Sequence, residues 1–150
     1  MTSNHSFYLY AAVMLLAGLG IPVMAALNSV LGTKLQNPAL ATTILFVVGG
    51  VLSIVYLLAS GSLPKSMPGH IPVYYYLGGA FVIFYILTIT WVAPKFGVGN
   101  AVSFVLLGQV VSMAVIDHFR LLGAPYNPVN LIRFVGLVLM VIGVFLAVRR

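Results

Sequence analysis

The sequence predicts an all-α integral membrane fold, with five transmembrane helices per chain forming a ten-helix antiparallel dimer. Three observations lead there. Of the 150 residues, 62% are hydrophobic and 5% charged, against about 45–50% and about 25% in a soluble domain. Five apolar stretches each approach the roughly 20 residues that a helix needs to cross a bilayer. The basic residues divide almost evenly between the two membrane sides that five spans define. The composition also excludes disorder, which requires few hydrophobes and many charges. A net charge of +6 does not make a nucleic-acid surface here, because the Lys and Arg residues are scattered singly and not clustered on one face. With no cysteine there is no disulfide, thiol nucleophile or thiolate metal site.

The first span, about 7–27, is read as a structural helix and not a cleavable signal peptide. Its Met1-Thr2-Ser3-Asn4-His5 lead carries no Lys or Arg, and the apolar run is longer than an h-region. Residues 28–38 form a connection with Gly32, Lys34 and an Asn37-Pro38 helix-start signal. The second span is about 39–59, and the segment 60–70 after it holds Gly61, Pro64, Lys65, Pro68 and Gly69. The third span is about 71–93. Pro94-Lys95-Phe96-Gly97 is barely a turn, so a tight hairpin is expected before the fourth span, about 98–119. Gly123, Pro125 and Pro128 precede the fifth span, about 129–148. No segment outside the spans is long enough to bury a soluble core, which predicts one transmembrane domain over residues 1–150.

Five spans place the termini on opposite sides. Lys65, Arg120 and Arg133 fall on the side of the N-terminus; Lys34, Lys95, Arg149 and Arg150 fall on the other. Orientation normally follows a Lys/Arg excess on the cytoplasmic side, and three against four gives almost no such instruction. One reading is a weak preference for the C-terminus inside, set by Arg149 and Arg150. The other is dual topology, in which oppositely inserted copies pair. Alternating access commonly uses two halves related by inversion, and an odd number of spans is a suitable half. The partner is either a second copy or a close paralogue of fixed opposite orientation.

A series of segments then carries a family likeness. The first span has Gly20-Ile21-Pro22 and, beyond it, Asn28 to Gly32; the second has Phe46-Val47-Val48-Gly49. The third opens on aromatics and Leu77-Gly78-Gly79, and Pro94 to Gly97 follows it. The fourth holds Gly108-Gln109 and Ile116-Asp117-His118-Phe119, and the fifth has Arg133, Gly136 and Gly143. Over nearly the whole chain this series resembles the YdcZ family of the drug/metabolite transporter superfamily. The resemblance implies five-helix proteins assembled into antiparallel ten-helix transporters of the bacterial inner (plasma) membrane. It implies no particular substrate. Many members would have Gln at the position of Met24 and Gly at that of Arg120.

Polar groups inside spans are costly and mark function or tight packing. Pro22 frees a carbonyl one turn earlier and can bend the first helix. Gly18, Ala25 and Ser29 lie near its face, either as a stripe for close helix approach or toward a pocket. Asn28 either lines that pocket or caps the loop. Gln109 sits near mid-membrane, where its amide binds substrate or glues helices together; the pocket is favoured, because an unpaired amide is costly in hydrocarbon. Asn100 and Ser103 lie on another face of the fourth helix. Tyr74, Tyr75, Tyr76 and Trp91 read as interfacial belts, with Trp91 alternatively offering a ring face to a cation. Tyr85 is mid-span and its hydroxyl needs a partner. Asp117 is the sole acidic residue. It reads either as an ion pair with Arg133 clamping the last two spans or as a proton-coupling site.

The expected substrate-binding set is therefore Pro22, Asn28, Tyr85, Trp91, Asn100, Ser103 and Gln109, with Asp117 and Arg133 as a structural or coupling pair. No catalytic residue, metal site or cofactor is expected: the chain has no Glu, no carboxylate pair, no phosphate-binding glycine loop and no nucleophile–base set. Small multidrug-resistance proteins are similar in size but exchange cations through a buried Glu that this chain lacks. The reading is a transporter subunit in the bilayer, handling a small-molecule substrate around a pocket lined by the first, third and fourth helices. Its rivals are a dual-topology ion channel and a non-transporting accessory membrane protein.

Overall fold

A computed structural model describes residues 4–62, 66 and 69–148. Among them every regular element is helical: α1 (Asn4–Lys34), α2 (Pro38–Ser60), α3 (Gly78–Phe96), α4 (Val98–Phe119) and α5 (Leu131–Val148), with 3-10 turns at Val73–Leu77 and Leu121–Gly123. Five helices are long and apolar enough to cross a membrane, as the hydropathy predicts. Lys65, Arg149 and Arg150 of the charge distribution, and Pro64 and Pro68 of the second connection, lie outside the described residues.

The main departure is at the end of α1, which continues through residues read from sequence as a loop. Nothing between Val23 and Lys34 breaks a helix, and the Thr33 hydroxyl donates to the Ser29 carbonyl within it. Lys34 places its charge at the negative end of the helix dipole. The stop comes at Gln36, in the left-handed region at φ 52°. Its N–H donates to the Thr33 carbonyl at 3.1 Å, and the N–H of Asn37 to the Gly32 carbonyl at 3.0 Å. This is a Schellman closure with Gln in the place usually held by Gly. Asn37 also caps the next helix: its Oδ1 accepts the Leu40 N–H at 3.0 Å, and Pro38 occupies the first helical position. Three residues thus connect α1 to α2, not the eleven that the sequence pattern assigned.

Pro94 lies within the last turn of α3, and Gly97 alone separates α3 from α4. Gly97 adopts φ 93° and ψ 138°, a conformation open in practice to glycine only. At the start of α5, Asn130 caps the helix by accepting the Arg133 N–H at 2.8 Å.

The chain divides into two compact units, Met1–Lys95 and Phe96–Arg150. In the first, the buried positions follow helical spacing: Ala25, Asn28 and Ser29 on α1, Ala41 and Thr42 on α2, and Ile86, Ile89, Thr90 and Ala93 on α3. Most of these side chains are small, which lets helices approach closely where lipid supplies no hydrophobic drive. Among the described residues of the second unit only Ala101 and Ala114 are buried, and α5 buries nothing. Helices apolar on every face are what a hydrocarbon solvent demands.

Candidate functional site

Polar groups of the first unit meet where α1 and α3 approach. The Asn28 side chain, 4% exposed, donates to the Thr90 hydroxyl at 2.6 Å. That hydroxyl donates in turn to the Ile86 carbonyl at 2.7 Å. Asn28 therefore caps no loop; it ties two spans together from inside a helix. Interhelical bonds of this kind contribute about 0.6 kcal/mol on average in a membrane. Gly32, one turn further on, makes the approach possible: a Cβ there would lie 2.9 Å from the Thr90 methyl group and 3.4 Å from the Pro38 Cα.

Other expected positions separate. Ala25 and Ser29 are buried and Pro22 is half-buried, but a Cβ on Gly18 would meet nothing within 4 Å. The small-residue stripe packs within the chain only along its second half. The hydroxyls of Tyr85 and Thr42 are both buried without a hydrogen-bond partner among the described residues. Trp91 is 56% exposed, and Lys95 Nζ stands 4.2 Å from its ring centroid. A resident cation thus already occupies a ring face that sequence reasoning offered to a ligand.

In the second unit, the Asn100 amide donates to the Phe96 carbonyl at 2.9 Å and so serves the start of its own helix. Ser103 lines a crevice of about 310 Å³ with Leu107 of α4 and Met140, Gly143 and Val144 of α5. Gln109 does not join them. It stands at the midpoint of α4, exposed, and meets no hydrogen-bond partner among the described residues.

The end of α4 is stapled to the start of α5. Arg133 Nη2 donates to Asp117 Oδ2 at 2.6 Å, and Arg133 Nη1 donates to the Asn127 carbonyl. The Asn127 N–H returns to the Asp117 carbonyl at 3.2 Å. His118 accepts the Val129 N–H on Nδ1 at 3.2 Å, which places the proton of the neutral ring on Nε2. The arrangement contains the ion pair that the sequence suggested. Asn127 and Asn130 here, and Thr90 in the first unit, were not singled out from sequence. Asn130, at the head of an apolar run, was a readable cap signal; Thr90 was one threonine among apolar neighbours with nothing local to distinguish it.

Arg120 closes α4 in the left-handed region at φ 53°, with its guanidinium 4.8 Å from the Tyr126 ring centroid. Glycine is the natural residue for that backbone. The strain costs on the order of 1 kcal/mol and the ring contact returns about 0.5–1 kcal/mol. Arg120→Gly is therefore expected to leave the thermal midpoint nearly unchanged. In a Tyr126→Ala background the same change is expected to raise it, because only the strain then remains to be relieved.

Comparison with known families gives a match over most of the chain. A family model described as "Putative inner membrane exporter, YdcZ" covers residues 9–146. No curated protein and no solved structure matches the chain significantly.

Proposed function

Because the chain belongs to the YdcZ family of inner membrane exporters, transporters and not enzymes, we propose that it works as one transmembrane domain in an antiparallel pair that exports a small molecule. The observation that carries this reading is Gln109. An amide at the middle of a membrane helix, uncovered by the described residues of its own unit, must find a partner or leave its hydrogen-bonding groups unsatisfied in hydrocarbon. A second, oppositely inserted subunit supplies that cover and a shared cavity, and substrate competes for the amide. The buried hydroxyl of Tyr85, without a hydrogen-bond partner among the described residues, and the bend available at Pro22 support a pocket role for these residues as well. The cavity would suit a neutral or weakly cationic solute, since Asp117, the sole acidic side chain, is held by Arg133. The partner is a second copy or a close paralogue.

The absence of native cysteine makes a direct test simple. Only residues near a helix midpoint meet their own copies in an antiparallel pair. Val102 and Ile116 lie seven positions on either side of Gln109, so like residues would stand about 21 Å apart in such a pair at 1.5 Å rise per residue. Gln109→Cys is expected to cross-link with itself. Val102→Cys is expected to cross-link only with Ile116→Cys on the other subunit. Self-linkage of Val102→Cys would show parallel pairing, and absence of linkage at Gln109→Cys would remove the dimer from the proposal. Failure of both with a close paralogue co-expressed would exclude the heterodimer too.

A further inference from the structure

Seven basic residues face one acidic side chain in this sequence, and residues 1–95 contain no acidic side chain at all. The single carboxylate, Asp117, is engaged by Arg133. Lys95 therefore has no side-chain counter-charge within the first unit. It sits in the last turn of α3, where that span ends. Its stem bends back so that the ammonium rests over the Trp91 ring, 4.2 Å from the centroid.

Beside that ring lies an open crevice of about 400 Å³. It is lined by Pro38 and Ala39 at the start of α2, by Leu87 and Trp91 on α3, and by Asn37 and Thr88 as its polar edge. The first turn of α2 carries no acidic residue, so the positive end of its dipole meets the neutral Asn37 cap and no charge. The crevice is thus apolar along its length, with a lysine held by a cation–π contact at the adjacent span end. This is the complement of an amphiphile with an anionic head and a hydrocarbon tail.

We propose that this crevice binds an anionic phospholipid, with its headgroup phosphate against Lys95 and one acyl chain along Leu87 and Trp91. The Trp91 ring holds the ammonium near the crevice, so less side-chain freedom is lost on binding than for an unrestrained lysine. A lysine at an anionic membrane surface contributes about 1 kcal/mol, which corresponds to about a fivefold preference for anionic over zwitterionic lipid.

Trp91 is the only tryptophan of the chain, so its fluorescence reports on the crevice without interference. The intact protein is reconstituted in phosphatidylcholine vesicles, and brominated phosphatidylglycerol or brominated phosphatidylcholine is introduced as the quencher. Brominated phosphatidylglycerol is expected to quench with about fivefold higher relative affinity. That preference is expected to vanish in Lys95→Gln and to persist in Lys95→Arg and in Lys34→Gln. Circular dichroism in phosphatidylcholine alone verifies that each variant is folded, and the equally uncharged Lys95→Met carries the test if Lys95→Gln is not. Equal quenching by the two lipids in the unaltered protein overturns the proposal. An equal loss in Lys34→Gln also overturns it, since that would reveal diffuse charge and not a site. Release of the quenching by inorganic phosphate would identify a free-phosphate site in place of a lipid one.

Discussion

Gly32→Ala is expected to lower the thermal unfolding midpoint, while Gly18→Ala leaves it unchanged or slightly higher. The two glycines share one helix, so intrinsic helix propensity favours alanine at both, by at most about 1 kcal/mol. Their surroundings differ. At Gly18 the new methyl would find open space; at Gly32 it would lie 2.9 Å from the Thr90 methyl group and 3.4 Å from the Pro38 Cα. Thr90 cannot simply rotate away, because its hydroxyl accepts from Asn28 and donates to the Ile86 carbonyl. Overpacking of this kind costs about 1–3 kcal/mol, which leaves a net loss of up to about 2 kcal/mol after a propensity gain of about 1 kcal/mol. The cause is checked by a second change. Thr90→Ser removes the obstructing methyl and keeps the hydroxyl, so Gly32→Ala combined with Thr90→Ser is expected to recover most of the loss. If the pair is no better than Gly32→Ala alone, the contact with Thr90 is not what limits this position.

The second large effect is expected at the other end of the chain. Asp117→Asn removes the charge that Arg133 meets at 2.6 Å, where the two side chains are 23% and 19% exposed. Fully buried pairs lose about 3–5 kcal/mol when one partner is removed, and exposed pairs about 0–1 kcal/mol. This partly covered pair falls between, near 2 kcal/mol. Because Arg133 also holds the Asn127 carbonyl, and Asn127 returns to the Asp117 backbone, the damage is expected to spread through residues 120–130. Hydrogen exchange should show faster exchange of the Asn127 and Val129 amides. Arg133→Gln should act similarly, and the double variant should lose clearly less than the sum of the two single losses. Additive losses would mean that the pair contributes nothing as a pair.

The legible part of this protein was the part governed by hydropathy. Span number and type could be read because a bilayer accepts few backbone solutions, and long apolar runs with almost no charge satisfy only the helical one. Asp117 and Arg133 could be paired on paper because a lone carboxylate and an arginine flank one short connection. The end of α1 could not. Asn28, Gly32 and Lys34 are loop-forming residues by type, yet Asn28 is buried against Thr90, which is 62 positions away. The αL stop at Gln36 also carried no glycine to announce it. Helical spacing put Ser103 and Gln109 on different faces of α4 and favoured Gln109 for the pocket. The structure gives Ser103 to a crevice against α5 and leaves Gln109 outside it.

By itself the sequence determined the solvent, the helical class and five segments apolar enough to cross a bilayer, because transfer of apolar surface is a sum over residues and needs no knowledge of neighbours. Only the tertiary structure decided which glycine stands against another helix, which amide is satisfied and which is left exposed. Those properties depend on what stands within a few ångströms across helices, and that is fixed by packing between segments distant in the chain.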